Sequence, residues 1–111
     1  SNYTVKEASG GFCDRGGRFG AHSSNESMAP VYFRKMAFIS FFNAGVRVFD
    51  IKNAFAPKEI AYWVPPMPAK MIDPRPNVTR AAKTCDAYVA ADGLIYVSDW
   101  NAGLHVLEYR G

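Results

Sequence analysis

Three features of the chain predict an all-β, antiparallel fold. Short runs rich in Val, Ile, Tyr and Phe recur along it, compact Gly-containing turns join them, and one strand–turn–strand unit occurs twice. Residues 37–51 read AFISFFNAGVRVFDI and residues 95–109 read IYVSDWNAGLHVLEY. At an offset of 58 residues, Ser40 matches Ser98, Asn43-Ala44-Gly45 matches Asn101-Ala102-Gly103, and Val48 matches Val106. Asp50 aligns with Glu108, and most other positions exchange one apolar side chain for another. Self-similarity at a fixed period marks a repeat architecture, whose single units cannot bury their own apolar faces.

The elements follow in order. Residues 1–30 are rich in Gly, Ser and Asn and read as a loop segment that starts a first unit. Residues 31–64 form the next unit. Its strands are Val31–Arg34, Met36–Phe42, Val46–Ile51 and Lys58–Val64, with Lys52–Pro57 as a polar link. Asn43-Ala44-Gly45 is a three-residue connection whose glycine suits positive φ, as in a type I turn with a Gly bulge. Residues 65–80 hold five of the seven prolines. Proline fixes φ and lacks a ladder donor, so this segment is expected to be a surface excursion and not a central strand. Residues 81–111 form the C-terminal unit, with strands Cys85–Ala90, Leu94–Asp99 and Leu104–Tyr109 joined by Ala91-Asp92-Gly93 and Asn101-Ala102-Gly103. No 3.6-residue periodicity of helical length is present.

These strands are apolar on both faces. In Val46–Ile51 one side carries Val46, Val48 and Asp50, and the other carries Arg47, Phe49 and Ile51. Such runs indicate sheets sandwiched between other sheets. Small antiparallel sheets stacked radially make a β-propeller. A blade takes about 40–45 residues, so the offset is one blade plus the proline-rich insertion. The expected architecture is an incomplete propeller of about two blades and part of a third. Trp63, Trp100 and the other aromatic residues are expected to pack between blades.

Bulk properties narrow the function. With 49% hydrophobic and 21% charged residues the chain can build a core and is not of the disordered class. The net charge of +3 comes from scattered Lys and Arg, with no basic run longer than Arg34-Lys35, which argues against a nucleic-acid partner. No apolar stretch reaches the ~18 residues of a membrane span. The sequence opens at Ser1 without a basic-then-apolar leader, and a removed leader, a longer parent protein or added residues each account for that. Cys13 and Cys85 either pair or stay as thiols. Asn2, Asn25 and Asn77 open Asn-x-Ser/Thr triplets, glycan acceptors in a secreted eukaryotic protein and plain polar loop residues otherwise.

FISFFNAGVRVFDI followed by PKEIAYWVPP, IYVSDWNAGLHVLEY near the end, and FCDRGGRFGAHSSNES upstream together resemble the LVIVD-repeat β-propeller proteins of bacteria and archaea. The resemblance runs over residues 12–110. It implies propeller blades in an extracellular, periplasmic or cell-surface protein, and a family whose biochemical roles are mostly unassigned. Family members are much longer chains. The implied partners are therefore other propeller blades, supplied by another chain or by further copies of this one.

The densest polar cluster is Arg18-Phe-Gly-Ala-His22-Ser23-Ser24-Asn25-Glu26, on a Gly-rich loop. His22 and Glu26 suit a divalent metal, given a further ligand, or a general base oriented by a carboxylate. The competing reading is that these groups hydrogen-bond loop backbone. Asp99 ends a strand before a turn, where it caps turn amides or, if that end faces the channel, joins a site. The candidate ligand-binding residues are thus Arg18, His22, Asn25, Glu26 and Asp99. His105 stands where the earlier repeat has Arg47 and reads as a structural histidine. Asp50 and Glu108 read as a recurring structural pair of positions. No phosphate loop, nucleophile elbow or HExxH helix is present. The expected function is a non-enzymatic propeller repeat module providing a binding or assembly surface, with Asn43-Ala44-Gly45 and Asn101-Ala102-Gly103 as presented hairpin tips. The alternative is a propeller enzyme or metal-binding protein with a polar channel site around His22 and Glu26, and fold alone does not choose.

Overall fold

The computed structural model describes residues 12, 16–24, 29–72 and 80–111, and every regular element among them is a strand. The strands are β1 (Phe19–Ser24), β2 (Met36–Phe42), β3 (Val46–Asp50), β4 (Lys58–Trp63), β5 (Thr84–Val89), β6 (Leu94–Asp99) and β7 (Gly103–Glu108). All pairings are antiparallel, in the order β4-β3-β2-β5-β6-β7, with β1 also on β2. The sheet curls so far that Trp63 of β4 and His105 of β7 lie with ring centroids 4.8 Å apart.

Two meanders make up this sheet, β2–β3–β4 and β5–β6–β7, joined by the register pair Phe42↔Thr84. Strand β1 runs beside β2 through Ser23↔Ser40 and Ser24↔Ile39. Strand β5 runs beside β6 through Asp86↔Ser98 and Ala87↔Val97. The series β1-β2-β3 therefore recurs as β5-β6-β7. Only the first series has a following strand, β4, among the described residues.

The register fixes which residues share a face, because directly opposed residues in an antiparallel pair point to the same side. Phe38↔Val48, Val46↔Trp63 and Val48↔Ala61 define one face of the first meander. Ile39↔Arg47, Ala37↔Phe49 and Arg47↔Tyr62 define the other. In the second meander the corresponding faces hold Tyr96, Leu104 and Val106 on one side, and Ile95, Val97, His105 and Leu107 on the other. The main core joins the Phe38 face of the first meander to the Val97 face of the second. Those faces are unlike in the repeat alignment, and the curl of the single sheet brings them against each other. A smaller core covers the Arg47 face with Phe12, which packs with Phe41, Ala44 and Phe49. Burying a Val or Phe side chain this fully is worth about 1.5–3 kcal/mol, so both cores matter to the fold.

One consequence is an asymmetry between equivalent residues. Phe38, Val46 and Val48 are 1%, 2% and 6% exposed, whereas Leu104 and Val106, the equivalents of the two valines, are 68% and 54% exposed. Tyr88, beside Tyr96 on the same open face, is also exposed.

Several details differ from the sequence reading. Val31–Arg34 is a turn and not a strand: the amides of Tyr32 and Phe33 donate to the Ala29 carbonyl at 2.9 Å, and Arg34 takes φ 59°. Pro30 at its start favours a turn, and Tyr32 serves as a plug, its ring centroid 5.1 Å from that of Phe38. Within residues 1–30, Phe19–Ser24 is a strand, held by β2 in spite of its small polar residues. Pro65 and Pro68 are buried, so the start of the proline-rich stretch packs back onto the protein. The glycines of the two repeat turns do take positive φ, 71° at Gly45 and 86° at Gly103. The first turn is not a presented tip, however, since Asn43, Ala44 and Gly45 are buried; in the second, Asn101 is buried while Ala102 and Gly103 are half-buried.

Candidate functional site

The polar groups converge where β1, β2 and β5 meet. Gly20, at φ 130°, and a register shift between Phe19 and Ser23 distort β1 and turn His22 and Ser23 toward β5. There the Cys85 carbonyl oxygen accepts from His22 Nδ1 at 2.7 Å, Ser23 Oγ at 2.5 Å and Ser40 Oγ at 2.6 Å. A carbonyl has only lone pairs to offer, so Nδ1 carries a proton and Nε2 is the ring nitrogen left free of this bond. The exposed His22 ring lies 4.6 Å from the Phe42 ring and 6.3 Å from Trp100, measured between centroids. Phe42 and Trp100 occupy equivalent positions in the two repeats and meet edge-on at 6.3 Å. Cys85 is a free, buried thiol whose Sγ lies 3.2 Å from Ser98 Oγ.

Chemically this seam offers one exposed imidazole nitrogen over an aromatic bed. Ser23 and Ser40 donate to the Cys85 carbonyl and not to His22, so His22 is not placed as a base on either hydroxyl. Glu26 and Asn25, the expected companions of His22, lie outside the described residues, as does Cys13. Arg18 is exposed, and its carbonyl accepts from the Asn43 amide at 3.1 Å. Among the described residues no three His, Cys, Asp or Glu side chains gather as a metal site.

Asp99 is drawn into the fold instead. Its Oδ2 accepts from the Lys83 amide at 2.8 Å and Thr84 Oγ1 at 3.1 Å, and its Oδ1 accepts from the amides of Asn101 and Ala102, each at 2.8 Å. The carboxylate thus ties the start of β5 to the β6–β7 turn, the turn-capping role open to an aspartate at a strand end.

Arg47 was legible only as a cation in a strand. It is fully buried, with Nε donating to the Ala44 carbonyl at 2.9 Å and one guanidinium nitrogen 3.3 Å from Glu59 Oε1. Its guanidinium lies 5.0 Å from the Phe12 ring centre and 4.7 Å from that of Tyr62. Such a buried pair needs this enclosure, because removing either partner strands a charge. His105, its repeat equivalent, has a different setting. Its Nε2 is buried and has no hydrogen-bond partner among the described residues. Asp50 and Glu108 recur as ion pairs, with Lys52 at 3.2 Å and Arg110 at 2.8 Å, so the repeat extends through positions 52 and 110.

A cleft of about 530 Å³ opens between the outer strands β4 and β7. Its floor is the core residues Phe38, Val48 and Ile95, and its walls include Trp63, Leu107 and Tyr109. No sequence signal marked this cleft, because it forms only when the two meanders lean together. No family model, curated protein or solved structure matches the chain.

Proposed function

We propose that the chain is a non-enzymatic repeat module, a pair of propeller blades of the LVIVD-repeat kind, whose role is to dock further sheet against its open face. The observation that carries this reading is the exposure of Tyr88, Leu104 and Val106 on a face whose counterpart in the first meander is the core. In the first meander the equivalent face is covered, by an unlike face of the same curled sheet, and this supports the reading. An apolar face left open in this way is a protein-interaction surface or an aggregation liability. The partner is another set of blades, from a different chain or from a second copy, and an exported or cell-surface setting fits the same family reading.

Sedimentation velocity over a concentration series tests this. Leu104→Glu and Val106→Lys together abolish association, while thermal stability changes little, because exposed substitutions usually shift stability within about ±0.5 kcal/mol. Association that persists unchanged in the double variant contradicts the reading.

A further inference from the structure

We propose that the outer edge of β7 is a strand-acceptor site for an extended peptide segment patterned like β4, with a carboxylate three residues before an aromatic ring. The inference deepens the reading above by naming a partner strand, and it rests on the repeat that underlies that reading.

Among the described residues no strand pairs with this edge, and its amides point the right way. In the β2–β3 hairpin the Phe41 amide donates to the Gly45 carbonyl at 2.7 Å, which makes Phe41 and Gly45 a bonded pair. Bonded and non-bonded pairs alternate along an antiparallel ladder. Val46 and Val48 therefore direct their backbone groups away from β2, toward Trp63 and Ala61 of β4. By the repeat, Leu104 and Val106 direct theirs away from β6, where no described strand lies.

Side chains along that edge await the same partner. The Arg47 guanidinium is met by the Tyr62 ring and the Glu59 carboxylate of β4. His105 in the same position holds a buried Nε2 with no partner among the described residues, which a carboxylate on an added strand would supply. Asp50 stands opposite Lys58 on β4, and Glu108, its equivalent, faces no described strand. The cleft between β4 and β7 gives the added side chains room beside Leu107 and Tyr109. Main-chain pairing then supplies affinity, and the alternate side chains supply selection.

The probe is a synthetic octapeptide of residues 57–64, PKEIAYWV, added to the intact protein. Amide hydrogen exchange at Leu104 and Val106 slows by at least about tenfold at saturation. N-methylation at the Ala61 and Trp63 positions of the peptide removes that protection, whereas N-methylation at the Tyr62 position retains it. Glu108→Lys weakens binding several-fold, and a peptide with Lys58→Glu restores it. No protection at Leu104 and Val106, or equal binding by every N-methylated peptide, overturns the proposal. Perturbation confined to Tyr88 and Tyr96 overturns it too, but leaves the open-face reading standing. Loss of that reading in the sedimentation test with edge protection intact leaves the acceptor site standing.

Discussion

Asn43 and Asn101 make the same reach in the two repeats. Each sits in a repeat turn and donates its side-chain amide to a carbonyl three residues before the first strand of its own series, β1 or β5, begins: Asn43 to Gly16 and Asn101 to Ala81, both at 2.9 Å. Asn43 also reaches the Phe12 carbonyl at 2.8 Å. The shared asparagine is thus a clasp that pins the incoming chain. A buried acceptor left unsatisfied costs about 1–3 kcal/mol, so Asn101→Ala lowers stability by that order and Asn43→Ala, with two acceptors stranded, by more. Asn101→Asp is worse than Asn101→Ala, since it sets a carboxylate against a carbonyl. Denaturant midpoints of the three variants check the ranking.

Asp99 carries a heavier load than either asparagine. Four donors converge on its carboxylate. Hydrogen bonds to a charged group contribute about 1.5–3 kcal/mol each, and they act here as a group. Asp99→Ala is expected to destabilise the fold by about 3 kcal/mol or more, within the range for a broken buried network. If equilibrium unfolding shows a loss below about 1 kcal/mol, the capping role assigned to this residue is wrong.

The two turn glycines separate conformational cost from steric cost. Both have positive φ. A Cβ at Gly103 meets nothing within 4 Å, whereas one at Gly45 collides with the Trp63 carbonyl oxygen and the backbone of Val64. Gly103→Ala therefore bears only the left-handed penalty, about 1–2 kcal/mol. Gly45→Ala must also displace the end of β4 and is markedly more destabilising. Equal melting temperatures for the two variants contradict this.

Asp50 gives the fold a small acid-side dependence. The Lys52 amide donates to Asp50 Oδ1 at 2.9 Å, and together with the Lys52 side chain it holds this carboxyl below the usual aspartate range, with Lys58 adding to the effect. A carboxyl depressed in the folded state contributes stability above its unfolded pKa of about 3.9, and that contribution is lost as pH falls through the lower folded value. Asp50→Asn therefore lies below the parent protein in stability at neutral pH, and the gap closes below about pH 4. Denaturant midpoints measured across that range report the gap directly.

Much of this fold is written in local pattern. The strand residues of β2, β6 and β7, the glycines at 45 and 103, and the repeat itself follow from propensity and turn chemistry. Tyr32 and Phe33 misled because an aromatic, β-branched run reads as strand, while tertiary packing on Phe38 holds it as a turn. β1 hid behind Gly and Ser because its ladder is supplied by β2. The seam was half legible. His22 stood out by residue type, but its partner, the Cys85 carbonyl, lies on a strand far along the chain, and only folding brings it to His22 and Ser40 together. Ser40 and Ser98 did carry a signal, since both are retained in the repeat, although identity alone does not say what a hydroxyl binds. The cleft and the open face depend on how two meanders stack, which no single segment encodes.

The most direct test of the stacking is a set of proton–proton NOEs from the Phe38 ring in solution. Contact between the unlike faces predicts contacts from that ring to the methyl groups of Ile95 and Val97, together with Trp63 to His105. NOEs from Phe38 to the ring of Tyr96, its own repeat equivalent, mean that like faces meet, and that contradicts the account.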